Sequence, residues 1–165
     1  METLGKRLER FGLSLQPEKT RLIDFRRPLK SKEKGKGSST FDFLGFTHYW
    51  QRGRKGSWHV AWKTRTSRVS RAINAIHDWC RQHRHEAVST QHQGLKTRIQ
   101  GHMNYFGVNG NLRCIRMVVD RARFDWHKWL NRRSEKSRLK WERFKDLLHD
   151  FPLPEPRLMV NLWAT

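Results

Sequence analysis

The chain has 165 residues and a mass of 19.9 kDa, a size typical of one domain. Its 35 Lys and Arg residues outnumber its 15 Asp and Glu residues, so the formal net charge at pH 7 is +20. No stretch approaches the roughly 18–20 apolar residues of a membrane span, and the first residues lack the apolar region of a signal peptide. The two cysteines, Cys80 and Cys114, exclude a disulfide framework and favour a reducing compartment.

The excess of positive charge predicts a polyanionic partner. Aromatic residues make up 12% of the chain, with 8 Trp and 9 Phe. This content argues against the disorder that a high net charge produces when aromatic residues are scarce. We therefore expect a folded protein with a small core. Nucleic acid is the expected partner, and an anionic membrane surface is the weaker alternative.

The first third of the chain predicts a small amount of β-structure. Apolar residues at helical spacing predict a short helix over residues 1–12, and residues 21–25 have the composition of a short strand. Residues 26–40 are basic and contain Gly and Ser, so we expect a mobile linker that orders on a polyanion. Residues 41–62 predict a β-hairpin, with one continuous strand to residue 50 and a returning strand from residue 58.

The remainder of the chain has helical periodicity. The spacing of apolar residues predicts helices over 65–84, 90–106, 111–132 and 137–149. Three alternating prolines then make residues 151–156 extended. The predicted fold class is α+β and mostly α, with a small hairpin-containing part followed by three to four helices.

Candidate catalytic and metal-binding groups are few. The acidic residues are scattered: Asp120 and Asp125, five residues apart in one predicted helix, face different parts of its surface, so we expect no complete two-metal site. Four residues of zinc-ligand type lie close together in the chain: His77, Cys80, His83 and His85. All four fall at one helix end, which favours a buried cysteine and solvated histidines. A metal-dependent nuclease using this cluster stays a third alternative.

Basic residues interleaved with aromatic residues are the strongest functional pattern. Arginines at helical spacing can follow one phosphate backbone, and each can bind phosphate bidentately. The candidate phosphate-binding residues are Arg52, Arg54, Lys55, Arg65, Arg68, Arg71, Arg113, Arg116, Arg132 and Arg133. Three hairpin tryptophans either stack on bases or, as we favour, belong to the core: Trp50, Trp58 and Trp62.

Several motifs in order resemble one family, the group II intron reverse transcriptases, also called maturases. Residues 8–20 resemble its late palm motif, a helix leading into a Leu-x-x-x-Lys-Thr turn. Residues 41–46 resemble its primer-grip motif, Phe-Leu-Gly-Phe. Residues 104–110 resemble the centre of its maturase-specific thumb domain. Residues 126–133 and 141–144, followed by Pro-Leu-Pro, resemble the end of that domain.

The resemblance implies roles for individual residues. Lys19 matches the late-palm lysine, which either protonates the pyrophosphate leaving group or only contacts phosphate. The primer grip comprises Phe43, Leu44, Gly45 and Phe46. Asn104 and Tyr105 are candidate nucleic-acid contacts in the thumb. The implied domains are a palm end with its primer grip at 1–63, a helical thumb at 64–150 and an extended tail at 151–165.

Departures from the family pattern limit the implied activity. The catalytic Tyr-Ala-Asp-Asp motif, the fingers and the earlier palm strand are absent from this sequence. We therefore expect the chain to be inactive as a polymerase alone and to bind no cofactor, while the complete enzyme uses Mg²⁺. The implied partners are group II intron RNA, the RNA/DNA template-primer duplex and a chain that supplies the fingers and catalytic palm. The implied location is the bacterial cytoplasm rather than an organelle. The alternative function is a small basic structural RNA- or DNA-binding protein without intron specificity.

Overall fold

The structure is a computed structural model that describes residues 2–16, 18, 20–28, 40–134 and 138–161. It is α+β and mostly α, as predicted. The elements in chain order are α1 (Glu2–Glu9), β1 (Phe41–Phe43), β2 (Phe46–Arg52), β3 (Trp58–Thr64), α2 (Thr66–Gln82), α3 (Val88–Phe106), α4 (Leu112–Leu130) and α5 (Trp141–Asp150). Lys19 and most of the predicted linker lie outside the described residues.

The chain divides into two compact units. One comprises Met1–Phe41 and His48–Val60, and the other comprises Asp42–Thr47 and Ala61–Thr165. We call the second the helical unit, because it contains α2 to α5. The assignment of residues 1–63 to a palm and of the following helices to a thumb stays a prediction.

The β-structure differs from the predicted two-stranded hairpin. Three strands form one antiparallel sheet in the order β1-β2-β3. The strand expected to run unbroken to residue 50 is interrupted at Leu44 and Gly45, which have φ values of 48° and 82°. Positive φ at both central residues is what a tight type I′ hairpin turn requires. The Phe-Leu-Gly-Phe motif is therefore a turn between two strands.

The predicted strand at residues 21–25 does not form. Its residues have no strand partner in the described part of the chain, and the Leu22 side chain is 85% exposed. Phe25 alone is anchored: its ring lies edge-on to Phe41 at 4.8 Å and stacks on Trp50 at 5.5 Å. Trp50 also donates its indole N–H to the Phe25 carbonyl oxygen at 3.2 Å. Trp50, one of the three hairpin tryptophans, therefore packs against residues of the first unit.

The core lies in the helical unit, where α2 and α3 both pack on α4. Helical spacing places the apolar residues of each helix on one side, and burial of these sides is the main stabilising contribution. The buried apolar residues are Val69, Ile76, Trp79, Cys80, Leu95, Ile99, Met103, Ile115, Val118, Val119, Ala122, Trp126, Trp129, Leu130, Phe144 and Leu153. No helix in the described ranges is long and apolar enough to cross a membrane.

Two buried amide side chains connect the elements. Asn111, which precedes α4, accepts the Thr64 backbone N–H at 2.8 Å and donates to the Thr64 hydroxyl at 2.6 Å and to the Phe106 carbonyl at 2.7 Å. The end of β3 is thereby fixed to the loop between α3 and α4. Gln91 on α3 accepts the indole N–H of Trp126 at 2.9 Å, so the largest buried ring has its donor satisfied.

The proline-containing tail returns to the helical unit. Residues 151–156 lie outside helices and strands, as predicted. The sequence did not predict that the chain then pairs with the loop after α3. Met159 and Val160 both donate their backbone N–H groups to the Gly107 carbonyl, at 2.6 and 3.1 Å, and Val160 forms a parallel bridge with Val108.

Substitution of Gly94 tests the packing of α2 on α3. A Cβ atom at Gly94 overlaps the buried Trp79 ring, whereas a Cβ at Gly101 on the same helix meets no atom within 4 Å. We expect Gly94→Ala to lower the free energy of unfolding by about 1–3 kcal/mol through overpacking. Gly101→Ala, the matched control, should raise it by about 0.5–1 kcal/mol through helix propensity. Urea denaturation followed by circular dichroism measures both. Equal stabilisation by the two variants would contradict this packing.

Candidate nucleic-acid interface

A cavity of about 640 Å³ lies in the helical unit beside the β1–β2 turn. We call it the arginine cleft and define it by Leu44, Gly45, Arg65, Arg68, Arg71 and Tyr105, which line it. The turn forms one wall, the start of α2 supplies the arginines, and the end of α3 supplies the aromatic side chain. Phe43 lines the same cavity, and so the structure brings together three predicted phosphate-binding residues, three predicted primer-grip residues and one predicted thumb residue.

The three arginines share one edge of α2. Arg65 directly precedes the helix, and Arg68 and Arg71 follow at intervals of three residues, which keeps them on neighbouring turns. The side of α2 that carries Val69 and Ile76 is buried, so this edge stays exposed. An exposed row of guanidinium groups beside a helix N-terminus attracts anions.

One acidic residue accompanies this row. The Asp42 carboxylate pairs with Arg65 at 3.0 Å and also accepts the Thr47 hydroxyl at 2.5 Å across the turn. Arg68 and Arg71 have no ion pair with any described residue. The cleft consequently keeps an excess of positive charge, and Asp42 holds the turn together rather than neutralising the row.

Both central residues of the turn are fixed to the helices through their carbonyl groups. The Gly45 carbonyl accepts the Arg65 backbone N–H at 2.9 Å. The Leu44 carbonyl accepts the Tyr105 hydroxyl at 3.0 Å. Phe46 packs edge-on against Phe106 on α3, with ring centroids 5.3 Å apart. The turn is thus held by backbone and aromatic contacts that leave the Leu44 side chain outside.

The four predicted primer-grip residues have different environments. Phe43 and Leu44 are 59% and 66% exposed. Gly45 and Phe46 are half-buried against α3, and a Cβ at Gly45 would come within 3.3 Å of the Phe106 ring. Glycine is needed at this position for a positive φ and a close approach to the ring. The exposed Leu44 side chain is available to a ligand, and Gly45 and Phe46 position the turn that carries it.

A second basic group lies at the other end of α2. We call it the distal arginine cluster and define it by Arg84, Arg132, Arg133 and Arg138, which line a cavity of about 600 Å³. No Asp or Glu among the described residues lines this cavity. Since 16 residue steps separate the first and last residues of α2, its ends lie about 24 Å apart. One rigid helix therefore separates the arginine cleft from the distal cluster.

Within the distal arginine cluster, the two predicted binding residues, Arg133 and Arg132, make different contacts. Arg133 donates from Nε and Nη2 to the backbone carbonyls of Arg84 and Glu86, so its guanidinium joins the segment after α4 to the α2–α3 loop. Arg132 lies over the Trp129 ring, with its Cζ 5.2 Å from the centroid. Stacking on a buried indole orders a guanidinium without neutralising it.

The other predicted basic residues separate into exposed and structural groups. Arg113 and Arg116 are exposed on α4 and have no ion pair with a described residue. Arg54 and Lys55 are exposed at the β2–β3 turn. Arg52 donates to the Gly56 carbonyl at 3.3 Å and closes that turn. Asn104 is exposed and accepts an amide hydrogen from Gln100 at 2.7 Å on the same helix face.

His77 and His83, predicted to be solvated, are half-buried and packed, whereas His85 is exposed as predicted. His77 Nδ1 lies 3.1 Å from the fully buried Asp125 carboxylate, which Arg121 also contacts at 3.2 Å. His83 stacks on Trp79 with ring centroids 4.5 Å apart. Burial raises the pKa of the Cys80 thiol to about 12, so it is unreactive at neutral pH. No group of three or more His, Cys, Asp or Glu side chains in the described ranges is arranged to hold a metal ion.

Sequence reasoning did not identify the acidic residues that pair with basic side chains, and it did not identify His102. The carboxylates of Asp42 and Asp125 hold basic side chains in place, and nothing in their local sequence marks them. His102 lines the arginine cleft, and its ring packs on Phe106 at 4.8 Å. Burial lowers the pKa of His102, so this side chain is neutral at pH 7. The arginines alone therefore supply the cleft's positive charge at neutral pH.

Comparison with protein-family models, curated proteins and solved structures gives no match to this chain. The resemblance to group II intron reverse transcriptases accordingly rests on the motif residues themselves. Lys19, the predicted leaving-group acid, lies outside the described residues.

His102 makes the stability of the helical unit sensitive to acid. Its pKa is lower in the folded than in the unfolded chain, so below about pH 6.5 the unfolded chain binds a proton that the folded chain does not. We expect His102→Gln to lose less stability than the wild type between about pH 7 and pH 5. Urea unfolding at each pH measures this difference, and parallel curves for the two proteins would contradict it.

Proposed function

We propose that the chain is the nucleic-acid-binding C-terminal part of a group II intron reverse transcriptase/maturase. It binds intron RNA and the template-primer duplex to support splicing and reverse transcription, and it does not polymerise DNA alone. The observation that carries the proposal is the pair of acid-poor arginine groups at the two ends of α2. The ordered motifs between residues 8 and 144 support the choice of family.

The spacing of the two arginine groups suits a nucleic-acid duplex. About 24 Å is several times the separation of successive phosphates along a strand, so the two groups contact phosphates that are several nucleotides apart. A helix of this length can contact backbone phosphates of a duplex at both of its ends, whereas a mononucleotide can contact only one cluster. Because the helical core fixes α2, the two groups keep their separation, and binding costs little reorganisation.

Within this proposal, each part of the interface has a defined task. Arg68, Arg71 and the distal arginine cluster neutralise backbone phosphates. Arg113 and Arg116 extend the basic surface along α4. The aromatic and apolar residues of the arginine cleft contact sugars and bases. Phosphate contacts alone carry no information about the base sequence. Tyr105 holds the turn through its hydroxyl and offers a 56% exposed ring.

The resemblance implies that catalysis requires the aspartates of the Tyr-Ala-Asp-Asp motif, which this sequence lacks, and so we propose that this chain alone performs no polymerisation step. We propose that another chain supplies the fingers and catalytic palm, and that Lys19 acts toward the leaving group only in that assembly. The same proposal places the protein in the bacterial cytoplasm.

Competition binding tests intron recognition. Labelled group II intron RNA is bound at 150 mM salt and challenged with an unrelated structured RNA of equal length. We expect the intron RNA to bind about tenfold more tightly or better, a difference of about 1.4 kcal/mol. Equal competition by the two RNAs would contradict the maturase proposal and favour the alternative, a basic structural RNA- or DNA-binding protein.

Salt dependence tests the role of the arginine cleft. Arg68→Ala with Arg71→Ala should weaken RNA binding and reduce the slope of log K against log salt by about two. The double substitution at Arg113 and Arg116 should have a similar effect. The matched control, Arg26→Ala with Arg123→Ala, removes the same net charge from side chains that already pair with Asp24 and with Asp120 and Glu155.

The control separates local contacts from total charge. Filter binding between about 50 and 200 mM salt gives each slope, and circular dichroism verifies that each variant is folded. We expect the control to keep most of the wild-type slope. If the control loses as much as the cleft variant, affinity depends on net charge alone, and the cleft is not a binding site.

A further inference from the structure

Leu44 combines a backbone conformation that leucine rarely adopts with an exposed apolar side chain. Its φ of 48° is the one positive value that a non-glycine residue adopts in the described part of the chain. This left-handed region disfavours side chains other than those of Gly, Asn and Asp, and type I′ turns select these residues. The Leu44 side chain is nevertheless 66% exposed, so packing inside the protein does not compensate for the strain.

The turn that carries Leu44 is rigidly held. The Tyr105 hydroxyl binds the carbonyl of Leu44, and the Arg65 backbone N–H binds the carbonyl of Gly45. All of these residues belong to the helical unit. An exposed leucine is therefore presented at a fixed point beside the row formed by Arg65, Arg68 and Arg71.

We propose that Leu44 is an apolar wedge that inserts between stacked bases of the bound nucleic-acid duplex. The inference rests on the proposed nucleic-acid binding. Charge complementarity identifies the occupant, because the arginine row next to Leu44 binds the phosphates of a duplex lying over the turn. Apolar side chains of this kind enter base steps from the minor groove and partly unstack them.

The geometry suits an A-form duplex in particular. Its minor groove is wide and shallow, so a two-residue turn can reach the base edges without a long projecting loop. The bases cover the exposed leucine when the duplex is bound, and the arginines fix the turn in register with the backbone. Strain at φ of 48° is then offset by contacts that exist only in the complex.

The test uses variants that separate stability from base insertion. Leu44→Gly relieves the backbone strain, so the melting temperature should stay equal to the wild type or rise. Leu44→Asn tolerates the same φ with a polar side chain. Leu44→Met keeps a flexible apolar side chain and is the matched control. The probe is an RNA/DNA hybrid duplex carrying 2-aminopurine at a central position, because the fluorescence of this base rises when it is unstacked.

We expect wild type and Leu44→Met to increase 2-aminopurine fluorescence on binding. The glycine and asparagine variants should bind with an unchanged salt slope, give less than half of that increase and lose about tenfold in affinity, the effect of burying a leucine side chain. Binding without any fluorescence increase by the wild type, or an equal increase by Leu44→Gly, would overturn the wedge and leave the proposed function standing. No binding of the hybrid duplex by the wild type would overturn both.

Discussion

Packing of α2 on α4 is the constraint on which the rest of the candidate interface depends. Burial of Val69 and Ile76 fixes the rotation of α2 about its axis, and this rotation directs Arg68 and Arg71 away from the core. The length of the same helix fixes the distance between the arginine cleft and the distal arginine cluster. A change in the core therefore moves the candidate phosphate-binding groups, although none of them contributes to the core.

The few acidic residues hold basic side chains and turns in fixed positions, and so a chain of charge +20 keeps a basic surface of defined structure. Asp125 is buried between His77 and Arg121, and Asp42 holds the β1–β2 turn beside Arg65. Each of these carboxylates pairs with one arginine, whereas Arg68 and Arg71 have no ion pair with a described residue. Such a surface raises the folded state's self-repulsion. Under the proposed function, bound nucleic acid both neutralises this repulsion and stabilises the fold by mass action.

The helical part of the fold could be predicted from sequence, and the turn that shapes the candidate site could not. Apolar periodicity located α2, α3 and α4 because these helices bury continuous faces. The segment around Leu44 has aromatic and apolar residues on both sides and resembles one unbroken strand, because leucine rarely occupies a position of positive φ. The predicted strand at residues 21–25 failed for a related reason: strand composition has no effect where no neighbouring strand supplies hydrogen bonds.

The placement of the β1–β2 turn changes how the resemblance to reverse transcriptases is understood. Sequence order joins the Phe-Leu-Gly-Phe motif to the palm end, but residues Asp42–Thr47 cluster with the helices. The bond from Tyr105 to Leu44 and the packing of Phe46 on Phe106 account for this clustering. The turn and the arginines of α2 are held by one core, and under the proposed function they meet a bound duplex as a single preformed surface.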